Sequence, residues 1–345
     1  MNLEKLKGKP RLLISVELKP LQGTRFQPTG FPDIGAANYD APDGTKMLLV
    51  ESAQSMANRM EAVCWDSIGN SPVAPLKGLP YVAVLGNDEK PLTNSMLEAH
   101  RINSAYIIDA KDSKTDKIFG DRFGRKKENK PFGNPERKAL AEMLFKYDIG
   151  ALLHGIFMPT YAGGRCRVAR ALSAFVEARG VSEAVSGGVK NDSVSPANKD
   201  EGGASEGYGN VPYARSEYTG QMTAFFSLDL AQIRNYSLGE DAEKLLIALS
   251  LFKIRKVLNE GLRFRTACDL KAETPKVDAP EGFVLPTEEE LSKELPNLLK
   301  TCKDLLGGSP SLTETFVGKK GKKAKGNAGE DETEDDDGKD GEESE

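Results

Sequence analysis

Residues 11–19 read Arg-Leu-Leu-Ile-Ser-Val-Glu-Leu-Lys, and apolar and polar residues alternate along them. This period of two is typical of a strand with one buried face, which here carries Leu12, Ile14, Val16 and Leu18. Residues 218–230 repeat the pattern and carry Met222, Ala224, Phe226, Leu228 and Leu230 on one side. The two segments therefore predict two half-buried strands.

The segments between and after them predict helices and further strands. Apolar residues spaced three and four apart predict a helix over Leu48–Asp66, whose second face carries the polar stripe Ser52, Ser55 and Arg59. We predict further helices over Arg137–Tyr147, Arg165–Arg179, Asp241–Glu260 and Glu288–Leu306, the last interrupted by Pro296. Short apolar runs predict strands at Tyr81–Leu85, Ser104–Ile108, Ala151–Phe157 and Leu262–Ala267.

Three segments lack this patterning. Residues 22–43 form a polar loop rich in Gly and Pro. Ser186–Asn210 has almost no apolar residues, and because strand patterning resumes directly after it, we interpret it as an exposed insertion. From Gly307 onward a lysine cluster precedes an acidic run, which predicts disorder over 307–345. The pattern fits one α+β domain over 1–306.

Composition limits the class of protein. Of the 345 residues, 39% are hydrophobic and 29% charged, and no stretch approaches the ~20 apolar residues of a membrane span. The N-terminus lacks the apolar segment of a signal peptide, so we expect a cytoplasmic protein. Cys64, Cys166, Cys268 and Cys302 lie far apart, which favours reduced, structural thiols over a zinc or redox motif.

Charge is distributed unevenly. The net charge is −5, but residues 327–345 contain eleven acidic residues and one lysine. Residues 101–180 instead contain sixteen Lys or Arg against nine Asp or Glu. A basic middle in an acidic chain indicates a surface that faces a polyanion, or simply a solvated face.

Motifs for catalysis or cofactor binding are absent from the sequence. It has no Walker loop, nucleophile elbow or dinucleotide fingerprint, and neither histidine has a ligand partner four residues away. We expect no catalytic residue, metal or cofactor. His154 is interpreted as a structural histidine inside a strand, whereas His100 fits either a structural or an RNA-facing role.

Polar and basic side chains are better candidates for a site. Arginine side chains at the start of the predicted helix 165–179 would form a phosphate seat with its free N–H groups. Phe225 fits either stacking on an RNA base or coverage by a helix, and Tyr208 and Tyr213 flank the end of the insertion. The RNA-binding candidates are Arg25, Gln27, Ser52, Gln54, Ser55, Asn58, Arg59, His100, Arg101, Asn103, Arg165, Arg167, Arg170, Tyr208, Asn210 and Arg215.

Five segments together resemble a known family. They are 21–33 (Leu-Gln-Gly-Thr-Arg-Phe-Gln-Pro-Thr-Gly-Phe-Pro-Asp), 49–61 (Leu-Val-Glu-Ser-Ala-Gln-Ser-Met-Ala-Asn-Arg-Met-Glu), 98–104 (Glu-Ala-His-Arg-Ile-Asn-Ser), 163–171 (Gly-Gly-Arg-Cys-Arg-Val-Ala-Arg-Ala) and 209–219 (Gly-Asn-Val-Pro-Tyr-Ala-Arg-Ser-Glu-Tyr-Thr). Over about residues 10–270 the chain resembles the Cas-seven backbone subunit of type I-G (formerly I-U) CRISPR Cascade complexes, of the RAMP superfamily.

The resemblance implies a fold and a function. It implies an α+β, RRM-like (ferredoxin-like) core with helical insertions and an extended thumb at about 186–215. Copies are expected to stack along the CRISPR RNA, with the thumb folded over the guide, leaving it free to pair with target DNA. The implied partners are CRISPR RNA, other copies of the chain, and the guide-processing or capping and large subunits of Cascade; no membrane is implied.

Two other functions remain open. Some RAMP relatives of another CRISPR type cleave RNA with an aspartate in the loop after the first strand, and Asp33 is the matching candidate for a metal-assisted ribonuclease. Asp is also a common turn former, and a single carboxylate is weak evidence for a site. The third interpretation is a generic RNA-binding protein outside CRISPR.

Overall fold

The computed structural model describes residues 2–31, 35–86, 90–108, 136–159, 166–190, 211–307 and 313–317. For residues 31, 108, 190, 211, 212, 214, 215 and 313–317 it describes the backbone alone.

Seventeen strands and seven helices make up the described part of the chain. The strands are β1 Arg11–Pro20, β2 Gly30–Phe31, β3 Gly35–Ala36, β4 Asn38–Asp40, β5 Lys46–Glu51, β6 Trp65–Asp66, β7 Ser71–Pro72, β8 Tyr81–Leu85, β9 Pro91–Asn94, β10 Ile156–Met158, β11 Cys166–Val168, β12 Leu172–Lys190, β13 Val211–Asp229, β14 Arg263–Arg265, β15 Cys268–Ala272, β16 Lys276–Ala279 and β17 Thr313–Val317. The helices are α1 Ala53–Ala62, α2 Ala105–Ile108, α3 Arg137–Tyr147, α4 Ile149–His154, α5 Leu230–Asn235, α6 Glu240–Glu260 and α7 Glu288–Thr301. Short 3-10 turns lie at Glu4–Leu6, Ala74–Leu76 and Arg101–Asn103.

The central element is an eight-stranded sheet with the order β14-β15-β1-β13-β12-β5-β4, and β16 also pairs with β1. Its neighbouring strands are antiparallel, and β1 lies opposite β13 with Ile14 facing Phe226. The prediction of a mixed α+β fold is confirmed, with the sheet antiparallel.

One face of this sheet forms the core. Leu12, Ile14, Val16 and Leu18 of β1 are at most 2% exposed, as are Met222, Ala224, Phe226 and Leu228 of β13. The strands predicted at 11–19 and 218–230 are therefore confirmed, although Leu230 already begins α5. Because side chains alternate across a strand, both sets lie on the face that the helices cover.

Helix α6 is the principal helix of the core. Its residues from Ala242 to Leu258 are buried on nearly all sides, and α1 and α7 pack against it. Acidic residues at its first turn and Gly261 after its last residue match the predicted ends. Helix α7 begins at Thr287 with a capping box formed with Glu290 and continues through Pro296.

The predicted helix over 48–66 is wrong in its first part. Residues 46–51 form β5, which pairs with β12, and the helix begins after Ser52. Leu48 and Val50 are buried whereas Leu49 is half-buried, so the period is two before Ser52 and three to four after it. The Ser52 hydroxyl accepts a hydrogen bond from the Ser55 amide, which begins α1.

Three other short predictions are also wrong. Residues 105–108 form helix α2 and not a strand. Residues 149–154 form helix α4, so only the last two residues of the predicted strand 151–157 are extended, as the start of β10. The helix predicted over 165–179 is absent: residues 166–168 form β11 and residue 172 begins β12. Leu172, Val176 and their neighbours fit both periods, and pairing with β13 on one side and β5 on the other selects the strand.

A two-stranded arm extends from the central sheet. Beyond Arg179, β12 continues to Lys190, paired only with Val211–Thr219 of β13. Its side chains are largely exposed, including Val185, Val189 and Tyr213. We call Ser182–Lys190 with Val211–Thr219 the arm; residues 191–210, most of the predicted insertion, lie outside the described part.

Four smaller sheets lie beside the central sheet in the described part of the chain, and one of them has three strands. Strand β17 pairs in parallel with β8, which pairs with β9. The prediction of disorder from Gly307 onward therefore does not hold for Thr313–Val317, and the loop predicted over 22–43 contains β2, β3 and β4.

All four cysteines are free and buried, and burial raises the pKa of each thiol to about 11. None of the helices described is long and apolar enough to cross a membrane.

Candidate nucleic-acid interface

An open cavity of about 800 Å³ lies between α1, the 3-10 turn at Arg101 and the hairpin β10–β11. Seven of the predicted RNA-binding residues line it: Gln54, Asn58, His100, Arg101, Asn103, Arg167 and Arg170. The other described lining residues are Ala57, Ala99, His154, Gly155, Ile156, Phe157, Pro159, Val168 and Ala169, and none of these described lining residues is acidic. We call this set the cationic cavity.

Helix α1 forms one wall of the cationic cavity. Gln54 and Asn58 are both exposed and lie four residues apart, so their amides project from the same face of the helix. Met56 and Met60 on the opposite face are buried in the core. The apolar face thus fixes the helix and leaves two amide side chains, each both donor and acceptor, on the cavity wall.

Arg101 lies at the floor of the cavity. It is 6% exposed, and its backbone has φ of 52°, a conformation that non-glycine residues rarely adopt. Its guanidinium donates two hydrogen bonds to Glu61, from Nη2 to Oε2 at 2.6 Å and from Nε to Oε1 at 3.1 Å. This bidentate pair fixes the position of Arg101.

A second buried cation lies below Arg101. The ammonium of Lys253 on α6 is 4.0 Å from Glu61 and 2.9 Å from Nε2 of His154. Burial and the nearby Lys253 charge lower the pKa of His154 well below its usual value, so the imidazole is neutral and accepts from the ammonium. Its Nδ1 makes no hydrogen bond within the described residues. His154 is thus a structural histidine as predicted, but it ends helix α4 and does not lie in a strand.

Asp148 links the turn to α4. Its carboxylate accepts from the amides of Ile102 at 2.8 Å and Ala151 at 3.3 Å, so it caps α4 and holds the turn that carries Arg101. Burial raises the pKa of Asp148 to about 7, with the Glu61 charge adding to the effect. The carboxyl therefore gains a proton near neutral pH.

Arg167 and Arg170 form the opposite wall. Arg167 lies on β11 and is exposed, and its side chain makes no ion pair or hydrogen bond with the described residues. Arg170 is half-buried and donates from Nε to the His154 carbonyl at 3.1 Å. No helix begins here, so the predicted seat at a helix N-terminus is wrong: a hairpin and the turn after it position both arginines.

Three predicted residues belong instead to a buried network around Glu51. Ser52 caps α1, the Ser55 hydroxyl donates to the Glu51 carboxylate, and Arg59 Nε donates to the same carboxylate at 2.9 Å. Arg59 also donates to the Phe264 carbonyl at 2.9 Å and covers the ring of Phe264. Together with Arg265, this network ties β5, α1 and β14 together, and its side chains are engaged within the protein.

Of the remaining predicted residues, none whose side chain the structure describes lines the cationic cavity. Arg25 pairs with Glu217 at 3.0 Å at the base of the arm, while the Gln27 backbone bonds to Ala267 and Arg265. Arg165, Tyr208 and Asn210 lie outside the described residues, as does Asp33, and Arg215 is described only by its backbone, paired with Ser186. Phe225 is half-buried and stacks on Phe175 of β12, with ring centroids 5.3 Å apart.

Sequence reasoning missed Glu51, Glu61, Asp148 and Lys253, which hold the site in place. Only Lys253 has a visible signal, because it interrupts the most apolar helix of the chain. The most distant pair, Glu51 with Arg265, is 214 residues apart, so such pairing cannot be inferred from spacing. Within the described ranges, no three His, Cys, Asp or Glu residues group as metal ligands.

One protein-family model matches part of this chain. A family model described as CRISPR-associated protein GSU0053 matches residues 12–183, just under half of the chain, so over this range the chain is similar to a CRISPR-associated family. No curated protein is similar enough to count as a match.

Among solved structures, a chain described as CRISPR RNA-guided surveillance complex, pre-nicking, is 12% identical, with a TM-score of 0.40, covering 89% of this chain and 96% of that one. A second, described as CRISPR RNA-guided surveillance complex, is 12% identical, with a TM-score of 0.33 and 86% of both chains covered. The crystal structure of Thermofilum pendens Csc2 is 10% identical, with a TM-score of 0.30, covering 88% of this chain and 80% of that one.

Proposed function

We propose that this CRISPR-associated chain is the RNA-coating backbone subunit of a Cascade surveillance complex, of the type I-G Cas-seven kind. Copies assemble along the CRISPR RNA together with the guide-processing and large subunits. Each copy holds the backbone of the guide and leaves its bases free to pair with target DNA. The protein contributes binding and shape, and base pairing supplies sequence specificity.

The observation that carries this proposal is the cationic cavity. Residues chosen as RNA-binding candidates from separate parts of the sequence, at 54–58, 100–103 and 167–170, line one concave surface. Within the described lining, Arg167 and Arg170 have no carboxylate partner, so no described acidic side chain neutralises their charge. An anion is the ligand that completes such a site.

The side chains suit the backbone of an RNA more than its bases. Arginines bind phosphate oxygens, and the amides of Gln54, Asn58 and Asn103 can donate to or accept from a 2′-hydroxyl. Such contacts carry no sequence preference, which a subunit that coats many guides requires.

The arm supports the same function. Its two strands extend beyond Arg179, the last residue of β12 that pairs with β5, and the side chains described there are mostly exposed. A projecting hairpin with little burial of its own is suited to folding over a ligand. In this proposal the arm and residues 191–210 form the thumb that crosses the guide.

Substitution of Arg167 tests the cavity. Arg167→Gln removes a cation that has no partner among the described residues, so we expect several-fold weaker binding of single-stranded RNA at low salt. The slope of log affinity against log salt should fall by about 0.7 for the lost phosphate contact. Fluorescence anisotropy with labelled poly(U) measures both quantities.

Arg179→Gln provides a matched control, because Arg179 is an exposed arginine that already pairs with Asp43 away from the cavity. This variant should bind RNA like the unmodified protein. Equal losses in the two variants would mean that RNA responds to total charge and not to the cavity.

Co-purification tests assembly. The chain, expressed with a CRISPR array and the processing subunits and isolated by a tag, should yield a particle with many copies on one guide-length RNA. Native mass spectrometry and sequencing of the bound RNA read out copy number and identity. An RNA-free monomer would refute the backbone function, and a monomer on unrelated RNA would favour a generic RNA-binding protein.

A further inference from the structure

The C-terminal acidic segment has a charge that matches the cationic cavity. Residues 330–345 contain eleven acidic residues and one lysine. The cavity presents Arg167 and Arg170 without carboxylate partners, and none of its described lining residues is acidic. The most acidic segment of the chain therefore carries the negative charge that would neutralise these arginines.

The chain leaves the described structure close to this cavity. Strand β17 pairs with β8, with Val317 opposite Leu85. β8 contacts α2, and α2 contacts the 3-10 turn at Arg101–Asn103, which lines the cavity. Strand β8 and the four-residue helix α2 therefore connect β17, the strand that carries the tail, to the wall of the site.

The connecting segment is long enough. Twelve residues lie between Val317 and Glu330, and an extended chain of that length spans up to ~40 Å. A domain of about 300 residues has a radius of gyration of roughly 19 Å. The acidic segment can therefore reach the cavity from β17 without any rearrangement of the domain.

We propose that residues 330–345 occupy the cationic cavity of the same molecule when no RNA is present, and that RNA displaces them. This inference rests on the proposed function, because it describes how access to the RNA site is regulated. Carboxylates bind the arginines as phosphates do. RNA bound along many copies displaces the tail, whereas a short or isolated contact does not. The tail thereby limits coating of unrelated RNA.

The lysines 319, 320, 322, 323 and 325 are the competing partner for the acidic segment. If the acidic residues paired with this cluster, the tail would neutralise itself and the cavity would stay open. The test must therefore separate an effect at Arg167 from an effect at these lysines.

The first measurement needs no RNA. Phenylglyoxal labels arginines, and peptide mass spectrometry gives the rate at each one. In the full chain, Arg167 should react several-fold more slowly than in a neutral-tail variant, in which every Asp and Glu of 330–345 is replaced by Asn or Gln. High salt should remove the difference, and the rate at Arg179 should be unchanged. Equal rates at Arg167 in the two proteins would overturn the inference.

The second measurement is poly(U) binding by anisotropy. The neutral tail should raise affinity about tenfold at low salt and much less at high salt, because the competition is between charges. Adding Arg167→Gln should remove most of this gain, whereas replacing the five lysines by Gln should preserve it. A gain that survives Arg167→Gln, or disappears with the lysines, would overturn the inference.

The two measurements distinguish the inference from the proposed function. Slower labelling of Arg167 by the native tail, with no RNA binding by either protein, would support the tail contact and refute the RNA function. RNA binding that Arg167→Gln weakens, with equal labelling rates, would support the RNA function and refute the tail contact.

Discussion

Glu61 determines the electrostatics beneath the candidate site. Its carboxylate is 4% exposed and lies 2.6 Å from Arg101 and 4.0 Å from Lys253, so one buried anion interacts with two buried cations. Gly150 makes room for it, because a Cβ on that residue would lie 2.6 Å from the Glu61 Oε1. The bidentate pair with Glu61 holds the Arg101 side chain while the Arg101 backbone has a φ of 52°.

Replacing Glu61 is therefore expected to be costly. Glu61→Gln leaves Arg101 and Lys253 buried without a compensating charge, which typically costs about 3–5 kcal/mol. Urea denaturation should show this as a lower free energy of unfolding. Glu289→Gln is the control, because Glu289 forms an exposed pair with Lys293 and its loss should leave stability unchanged. Equal stability of the Glu61→Gln variant and the native protein would contradict this account.

Asp148 predicts a pH dependence of stability. Its pKa is raised to about 7 in the folded protein from an ordinary value of 3.8, so the folded state binds the proton more tightly than the unfolded state. Protonated Asp148 therefore stabilises the folded state fully below about pH 4, and this contribution is lost as pH rises to about 7. At 1.36 kcal/mol per unit of pKa shift, the contribution amounts to at most about 4 kcal/mol.

The variant Asp148→Asn isolates this contribution. It does not titrate, so its free energy of unfolding should lose the part of the decline that Asp148 causes between about pH 4 and about pH 7. Urea denaturation of both proteins across that range gives the difference. Parallel curves for the two proteins would exclude Asp148 as the titrating group.

At the scale of elements, the reversal after α4 shapes the cavity wall. Gly155 has φ of 78°, and a Cβ there would lie 2.9 Å from the Val168 carbonyl of the facing strand. Its own carbonyl accepts from Arg101 Nη1 at 3.4 Å. The glycine thus allows hairpin β10–β11 to approach both α4 and Arg101.

Gly8 and Gly155 allow the effect of backbone strain to be separated from the effect of crowding around an added Cβ. Gly8 has a similar φ of 67°, and a Cβ added there would have no neighbour within 4 Å. Gly8→Ala should lower stability by about 1 kcal/mol through backbone strain alone. Gly155→Ala should lower it further because backbone atoms must move, and it should also weaken RNA binding. Equal losses in thermal unfolding experiments would show that crowding at Gly155 is unimportant.

At the scale of the whole molecule, the arm adds surface without adding core. Val185 and Ser216 are partners in the ladder, so an Asn-Gly turn can replace residues 186–215 between them. Because the arm beyond this point is exposed, the thermal midpoint should change little. Assembly of many copies on one RNA should be lost if the arm crosses the guide. Native mass spectrometry of the co-purified particle checks this, and an intact particle would exclude the arm from that role.

The sequence by itself determined those strands and helices whose spacing of apolar residues fits only one type of secondary structure. Residues 11–19 and 218–229 alternate between the two faces of a strand, and α6 carries both an apolar pattern and matching ends, so local chemistry was sufficient there. Seven residues chosen from the sequence as RNA-binding candidates line the cationic cavity, and their contact with RNA stays a prediction.

Only the tertiary structure decided the rest. Residues 172–179 fit a helix and a strand equally, and hydrogen bonding to β5 and β13 selected the strand. Ser55 and Arg59 have the chemistry of RNA contacts, but folding brings Glu51 and the Phe264 carbonyl to them, which occupies their donors. Whether a polar side chain remains available to a ligand depends on partners from distant parts of the chain, and only packing in three dimensions determines which partners meet.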